Sequence, residues 1–138
     1  MFNAKWSTLA SLFLLFPSAF ADAHCPGKIA GVHVRHIQGS ITIVAVKINH
    51  TGPYDFMVDT GSQVTKLDPA LAAELHLKAE ATAGVIGVVA HATTAYTHVD
   101  LIEIGLQAIA NPEVFLQDIS ELQASDPRIR GVIGGNIR

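Results

Sequence analysis

Apolar and polar residues follow one another at a period near two through much of the chain, the spacing of strands with one buried face. In residues 29–37, Ile29, Val32, Val34 and Ile37 alternate imperfectly with His33, Arg35 and His36, which predicts a strand. Gly39-Ser40 predicts a turn. Residues 41–48 are dense in β-branched side chains, with Thr42 and Lys47 as the clearest polar positions, and predict a largely buried strand. The cluster Asn49-His50-Thr51-Gly52-Pro53 predicts a turn, and residues 54–58 the returning arm of a hairpin. Asp68 suits a helix N-cap and Pro69 the first helical position. Leu71, Ala72, Leu75 and Leu77 give that helix an apolar side, over about two turns ending near His76-Leu77. Gly84 and Gly87 flank β-branched residues and predict an open hairpin over residues 84–89. Residues 93–104 alternate well and predict a strand, and residues 109–116 another around Asn111-Pro112. Residues 118–130 are polar and predict a loop with one helical turn. The fold class is all-β: about seven short strands in a barrel or sandwich, with one short helix.

At 138 residues the chain suits one domain with a modest core. A net charge of −3 gives no electrostatic footprint for nucleic acid. The start reads as a secretory signal peptide over residues 1–21. Lys5 supplies the positive region, residues 9–16 the apolar stretch, and Ala19-Phe20-Ala21 the small-x-small cleavage pattern. The apolar stretch falls well short of the roughly twenty residues a membrane span needs, so no stable span is expected. Residues 22–28 read as a flexible lead-in and residues 29–138 as the folded domain, exported to a periplasm or beyond. Cys25 is the only cysteine, so an internal disulfide is excluded. His33 and His36 fall on opposite faces of their strand, and no cysteine or carboxylate completes a metal-binding set with His91 and His98, so no metal is expected.

The candidate chemistry lies where the hairpin's second arm ends. Phe56-Met57-Val58 runs straight into Asp59-Thr60-Gly61-Ser62, which places a carboxylate at a turn on the end of a core strand. Asp, Thr and Gly also suit an ordinary turn. The apolar lead-in favours a site instead. The motif occurs once. Other acids are poor partners for it: Asp55 precedes the strand end, Asp68 caps a helix, and Asp100 and Glu103 read as solvent-facing charges on a strand.

Residues 56–62, the helix segment at 67–77 and the segment at 131–137 together resemble the bacterial retropepsin-like aspartic proteases, single-lobe relatives of pepsin. The likeness spans residues 29–138 and implies a closed barrel. It implies that Asp59 is the catalytic carboxylate and that Thr60 locks two catalytic loops together through its hydroxyl. Gly61 would let the loop backbone approach closely, and Ser62 would hydrogen-bond the outer carboxylate oxygen. It places Gly84, Val85, Ile86 and Gly87 in a flap over the substrate. The family carries a further helix and strand after the segment like 131–137, so the domain is expected to lack them.

The resemblance implies water-mediated peptide hydrolysis between two aspartates sharing one proton, with no cofactor. The substrate would be a peptide or unfolded protein lying as an added strand. The second aspartate would come from a homodimer or from a second lobe. The alternatives are a non-catalytic peptide- or protein-binding domain of the same fold, or one lobe of a longer two-lobed protease.

Overall fold

The computed structural model describes residues 31–86 and 91–137. The leader, the lead-in with Cys25, Gly87 and Arg138 lie outside the described residues. Ten strands rather than seven, and two short helices rather than one, make up the described chain. The strands form one curled sheet, a half-barrel, in the order β5 (Ala81–Ile86), β6 (His91–His98), β9 (Glu113–Leu116), β4 (Lys66–Leu67), β10 (Ile129–Ile133), β3 (Thr51–Val58), β2 (Ile41–Ile48), β7 (Leu101–Ile104) and β8 (Gln107–Ala110), with β1 (Val34–Ile37) on β2.

β1 (Val34–Ile37) pairs with the first half of β2 (Ile41–Ile48), and β7 (Leu101–Ile104) with its second half. β2 buries Ile43, Val44, Val46 and Ile48 and leaves Ala45 and Lys47 exposed. The turn into β3 (Thr51–Val58) is tighter than expected. Asn49 and His50 alone make it, at φ 49° and 64°, the left-handed pair that matches the twist of a two-residue hairpin. Thr51, Gly52 and Pro53 already belong to β3. Pro53 is tolerated there because β3 pairs with β10 (Ile129–Ile133) only from Asp55 onward, so its missing N–H falls outside that ladder.

β10 positions everything that follows. It runs parallel to β3, with Val132 opposite Met57, and antiparallel to β4 (Lys66–Leu67), with Val132 opposite Lys66. The chain therefore leaves β3, turns through residues 59–65 and returns as β4, with β10 inserted between the two arms. Phe56, Leu67, Leu71, Ile102 and Val114 are fully buried in the main core on one side. On the other side Ile43, Ile119 and Ile129 form a smaller cluster with Met57 and Leu122.

α1 (Pro69–Glu74) starts as expected, with Asp68 Oδ1 accepting from Ala70 N at 3.2 Å. It ends earlier than expected. His76 takes φ 57°, its N–H reaches Ala73 O, and the Leu77 N–H reaches Ala72 O, the two bonds of a left-handed helix stop.

The predicted strand at 93–104 is two strands, β6 (His91–His98) and β7, because β6 pairs with β9 (Glu113–Leu116) whereas β7 pairs with β2. The predicted strand at 109–116 is likewise split into β8 (Gln107–Ala110) and β9 by Asn111 at φ 52°. The polar segment 118–130 carries its one helical turn, α2 (Ser120–Gln123).

An ion cluster anchors that segment. Asp126, buried, accepts from Arg128 Nε and Nη2 at 3.0 and 2.8 Å and from Arg35 Nη1 at 2.9 Å, while Arg35 also binds Asp55. The Arg128 side chain first, then its backbone N–H and the Arg35 guanidinium, hold the Asp126 carboxyl well below the ordinary aspartate value of 3.8. A depressed native pKa stabilises fully above the unfolded value, and the benefit is lost as pH falls through the native one. Asp126→Asn is therefore expected to lower the urea midpoint most at near-neutral pH, with the gap to wild type closing below 3.8. A gap that stays constant into strong acid would contradict this assignment.

Candidate active site

The turn after β3 is fixed from three directions. Asp59 N donates to Ile133 O at 3.0 Å, continuing the β3–β10 ladder beyond Val58. Asp59 O accepts from Ser62 N at 3.2 Å, closing the turn. Asp59 Oδ1 accepts from Gly61 N at 2.9 Å, which sets the carboxylate's pose. A Cβ on Gly61 would lie 3.3 Å from that same oxygen and crowd it.

The return arm is held against the end of β10. Gly135 N donates to Ser62 O at 2.8 Å. Thr65, fully buried, accepts from Gly134 N at 3.1 Å and donates to Asn136 Oδ1 at 2.8 Å. Asn136 Nδ2 in turn donates to Glu113 O at 2.9 Å, tying the turn to β9. One hydroxyl thus joins the segment 59–65 to the segment 133–136. Thr65→Val keeps the shape but leaves the Gly134 N–H and the Asn136 oxygen without that partner. The expected cost is about 1–3 kcal/mol for the Gly134 N–H left buried and unpaired, while the oxygen of the exposed Asn136 turns to water, and it is read as a fall in the urea midpoint.

Two cavities flank the turn. One, of about 420 Å³, has Asp59 in its wall with Met57, Lys66, Gln117, Glu121 and Val132. The other is wider and more open and is bordered by Thr60, Ser62, Gln63, Gly135 and Asn136.

The structure gathers Asp59, Thr60, Gly61 and Ser62 in this turn, with one correction. The Ser62 hydroxyl donates its single proton to Val64 O at 2.8 Å, not to the Asp59 carboxylate. Thr60 is exposed, and its hydroxyl makes no hydrogen bond among the described residues. Gly84 is exposed in β5 (Ala81–Ile86) and borders neither cavity; Val85 and Ile86 pair with Ala92 and His91 of β6. Of the predicted hairpin at 84–89, residues 87–89 lie outside the described residues, and residues 84–86 form the end of β5 in a longer β5–β6 ribbon. At its base Glu80 accepts from His98 N at 3.1 Å and lies 2.9 Å from His98 Nδ1, and the His98 side-chain contact is the main cause lowering the Glu80 carboxyl below its ordinary range.

Thr65, Lys66, Gln117, Glu121 and Asn136 escaped the sequence reading as site residues. Thr65 lies between two recognised segments and Asn136 inside the one at 131–137, and that placement was the one available signal.

A family model described as aspartyl protease matches residues 44–137. The chain belongs to the aspartyl protease family. The match takes in β2 from Val44 onward, the Asp59 turn, α1 and the Gly134 segment. Among solved structures, the chain is similar to a retropepsin-like aspartic protease from Rickettsia conorii, with a TM-score of 0.56 and 19% identity over 78% of this chain and 85% of that one. That likeness establishes the retropepsin-like fold. No curated protein matches the chain. Family and fold support an aspartic protease function in general terms. No helix among the described residues is long and apolar enough to cross a membrane.

Proposed function

We propose that the chain is one half of an exported aspartic endopeptidase, led out by residues 1–21 and completed when a second copy brings its own Asp59 alongside. The pose of Asp59 carries this reading: its N–H is locked to Ile133 O, its Oδ1 is held by Gly61 N, and a cavity opens beside it. Thr60 stands exposed beside the more open cavity, free to bond the partner copy's turn.

Two carboxylates a few ångströms apart do not both ionise at ordinary cost, so the pair holds one proton. The ionised member takes a proton from a bound water, which attacks the scissile carbonyl. The protonated member donates to the oxygen on which charge develops. A proton then passes to the leaving amide nitrogen and the C–N bond breaks. The two apparent pKa values belong to the pair, so neither Asp59 is acid or base in advance. The substrate is a flexible polypeptide lying extended over the Asp59 floor, covered by the β5–β6 ribbon through Gly84, Val85 and Ile86.

The test is cleavage of an unfolded protein at acidic pH, with and without a pepstatin-type inhibitor. Cleavage abolished by the inhibitor is expected. Cleavage indifferent to the inhibitor and undiminished in Asp59→Asn would contradict the proposal.

A further inference from the structure

We infer that Lys66 makes the Asp59 cavity selective for an acidic side chain of the substrate. This deepens the protease reading and rests on it for where the substrate lies. The unpaired Lys66 ammonium in the cavity wall stands independently of it.

Lys66 lies in the middle of the sheet, opposite Val132 of β10 and Phe115 of β9. Its neighbour Leu67 is fully buried in the main core, so Lys66 emerges on the opposite face, into the wall of the Asp59 cavity. It is half-buried and makes no ion pair or hydrogen bond through its side chain among the described residues. A partly desolvated ammonium without a counter-ion is unfavourable, and an arriving carboxylate relieves it.

The cavity's own acids do not supply that counter-ion. Asp118 is exposed, and its two oxygens accept from Ser120 N at 2.9 Å and Ser120 Oγ at 3.2 Å. Glu121 is exposed on the first turn of α2, where water and salt screen it. Asp59 makes no ion pair with Lys66 among the described residues, and its Oδ1 is held by Gly61 N. Ile119 and Leu122 add apolar wall on which the stem of a glutamate packs, and the Gln117 amide offers a second donor. A lysine or arginine side chain would instead meet Lys66 at the less solvated end.

The test uses extended peptides identical except for Glu, Gln or Lys at one position, each position around the scissile bond being varied in turn. It is run at about pH 5, where a free Glu is mostly ionised. Cleavage is measured with the wild-type chain, and binding by fluorescence anisotropy with full-length Asp59→Asn. The expected result is a preference for Glu over Gln of about tenfold at one position in both measurements. Lys66→Met should erase it and Lys66→Arg should retain it. Equal handling of Glu and Gln, a preference for Lys, or a Glu preference that survives Lys66→Met overturns the inference. Cleavage without a Glu preference leaves the protease reading standing and removes the role of Lys66. Glu-selective binding that depends on Lys66, without any cleavage, does the reverse. Absence of both cleavage and selective binding removes both.

Discussion

Asp59→Asn is expected to lower kcat/KM for peptide cleavage by at least about 10²–10⁴-fold, the range carried by a positioned acid or base. The loss should reach the top of that range, because in a symmetric pair the substitution changes both carboxylates at once. An amide neither takes a proton from water nor shares one with its partner. The fold should barely notice. Asn keeps an Oδ1 that accepts from Gly61 N, and the Asp59 N–H to Ile133 O bond is backbone. The urea midpoint should correspond to a change within about 0.5 kcal/mol. Kinetics on an unfolded protein substrate, alongside urea unfolding of the same preparations, measures both. Retained cleavage by a folded variant would remove Asp59 from the chemistry.

Gly134→Ala is expected to have the largest effect on the fold. A Cβ there would lie 2.3 Å from Val64 O and 2.4 Å from Val64 C, and both are backbone atoms of the turn that carries Asp59. No rotamer change relieves such a contact. Either the turn moves off β10 or the chain fails to fold, at a cost of about 3 kcal/mol or more, the upper end for overpacking. Moving the turn also breaks the Gly134 N to Thr65 Oγ bond, so activity should fall with stability. Gly84→Ala is the control. A Cβ at Gly84 meets nothing within 4 Å, and its unfolding midpoint should match wild type within about 0.5 kcal/mol. Equal stability of the two variants would mean that the approach of Gly134 to Val64 does not constrain the turn.

These two positions also show how much was legible in the sequence. The Asp59 turn was legible because its signal is local: an apolar strand meeting residues that favour a turn. The β2–β3 hairpin and the start of α1 were legible for the same reason, through β-branched density and an Asp-Pro cap. The pairing partners were not. β4 is two residues long, too short to show a period, and exists because β10 and β9 flank it. The alternation through residues 93–104 runs on although the chain passes from beside β9 to beside β2, because alternation records faces and not neighbours. Asn111 makes a turn through a left-handed backbone, which its place beside Pro112 did not distinguish from a strand irregularity.

The site divides in the same way. The acid and its glycine were readable. The hydroxyl joining the two segments, on Thr65, was hidden in an unremarked Val-Thr-Lys run. The wall facing Asp59, from Gln117 to Leu122, comes from a polar segment whose position depends on Arg35 and Arg128 reaching Asp126. The Ser62 hydroxyl took a backbone carbonyl in place of the carboxylate, a choice decided by the path of the turn.

Everything rests on Asp59 needing a second Asp59 beside it. The most direct measurement mixes wild-type chain with an equal amount of the Asp59→Asn variant, lets subunits exchange, and compares activity with that of wild type at the same total concentration. Pairing at random predicts a fall to about one quarter, since only pairs of two intact chains work. A fall to about one half, the value for chains that act alone, would contradict a site shared between two copies.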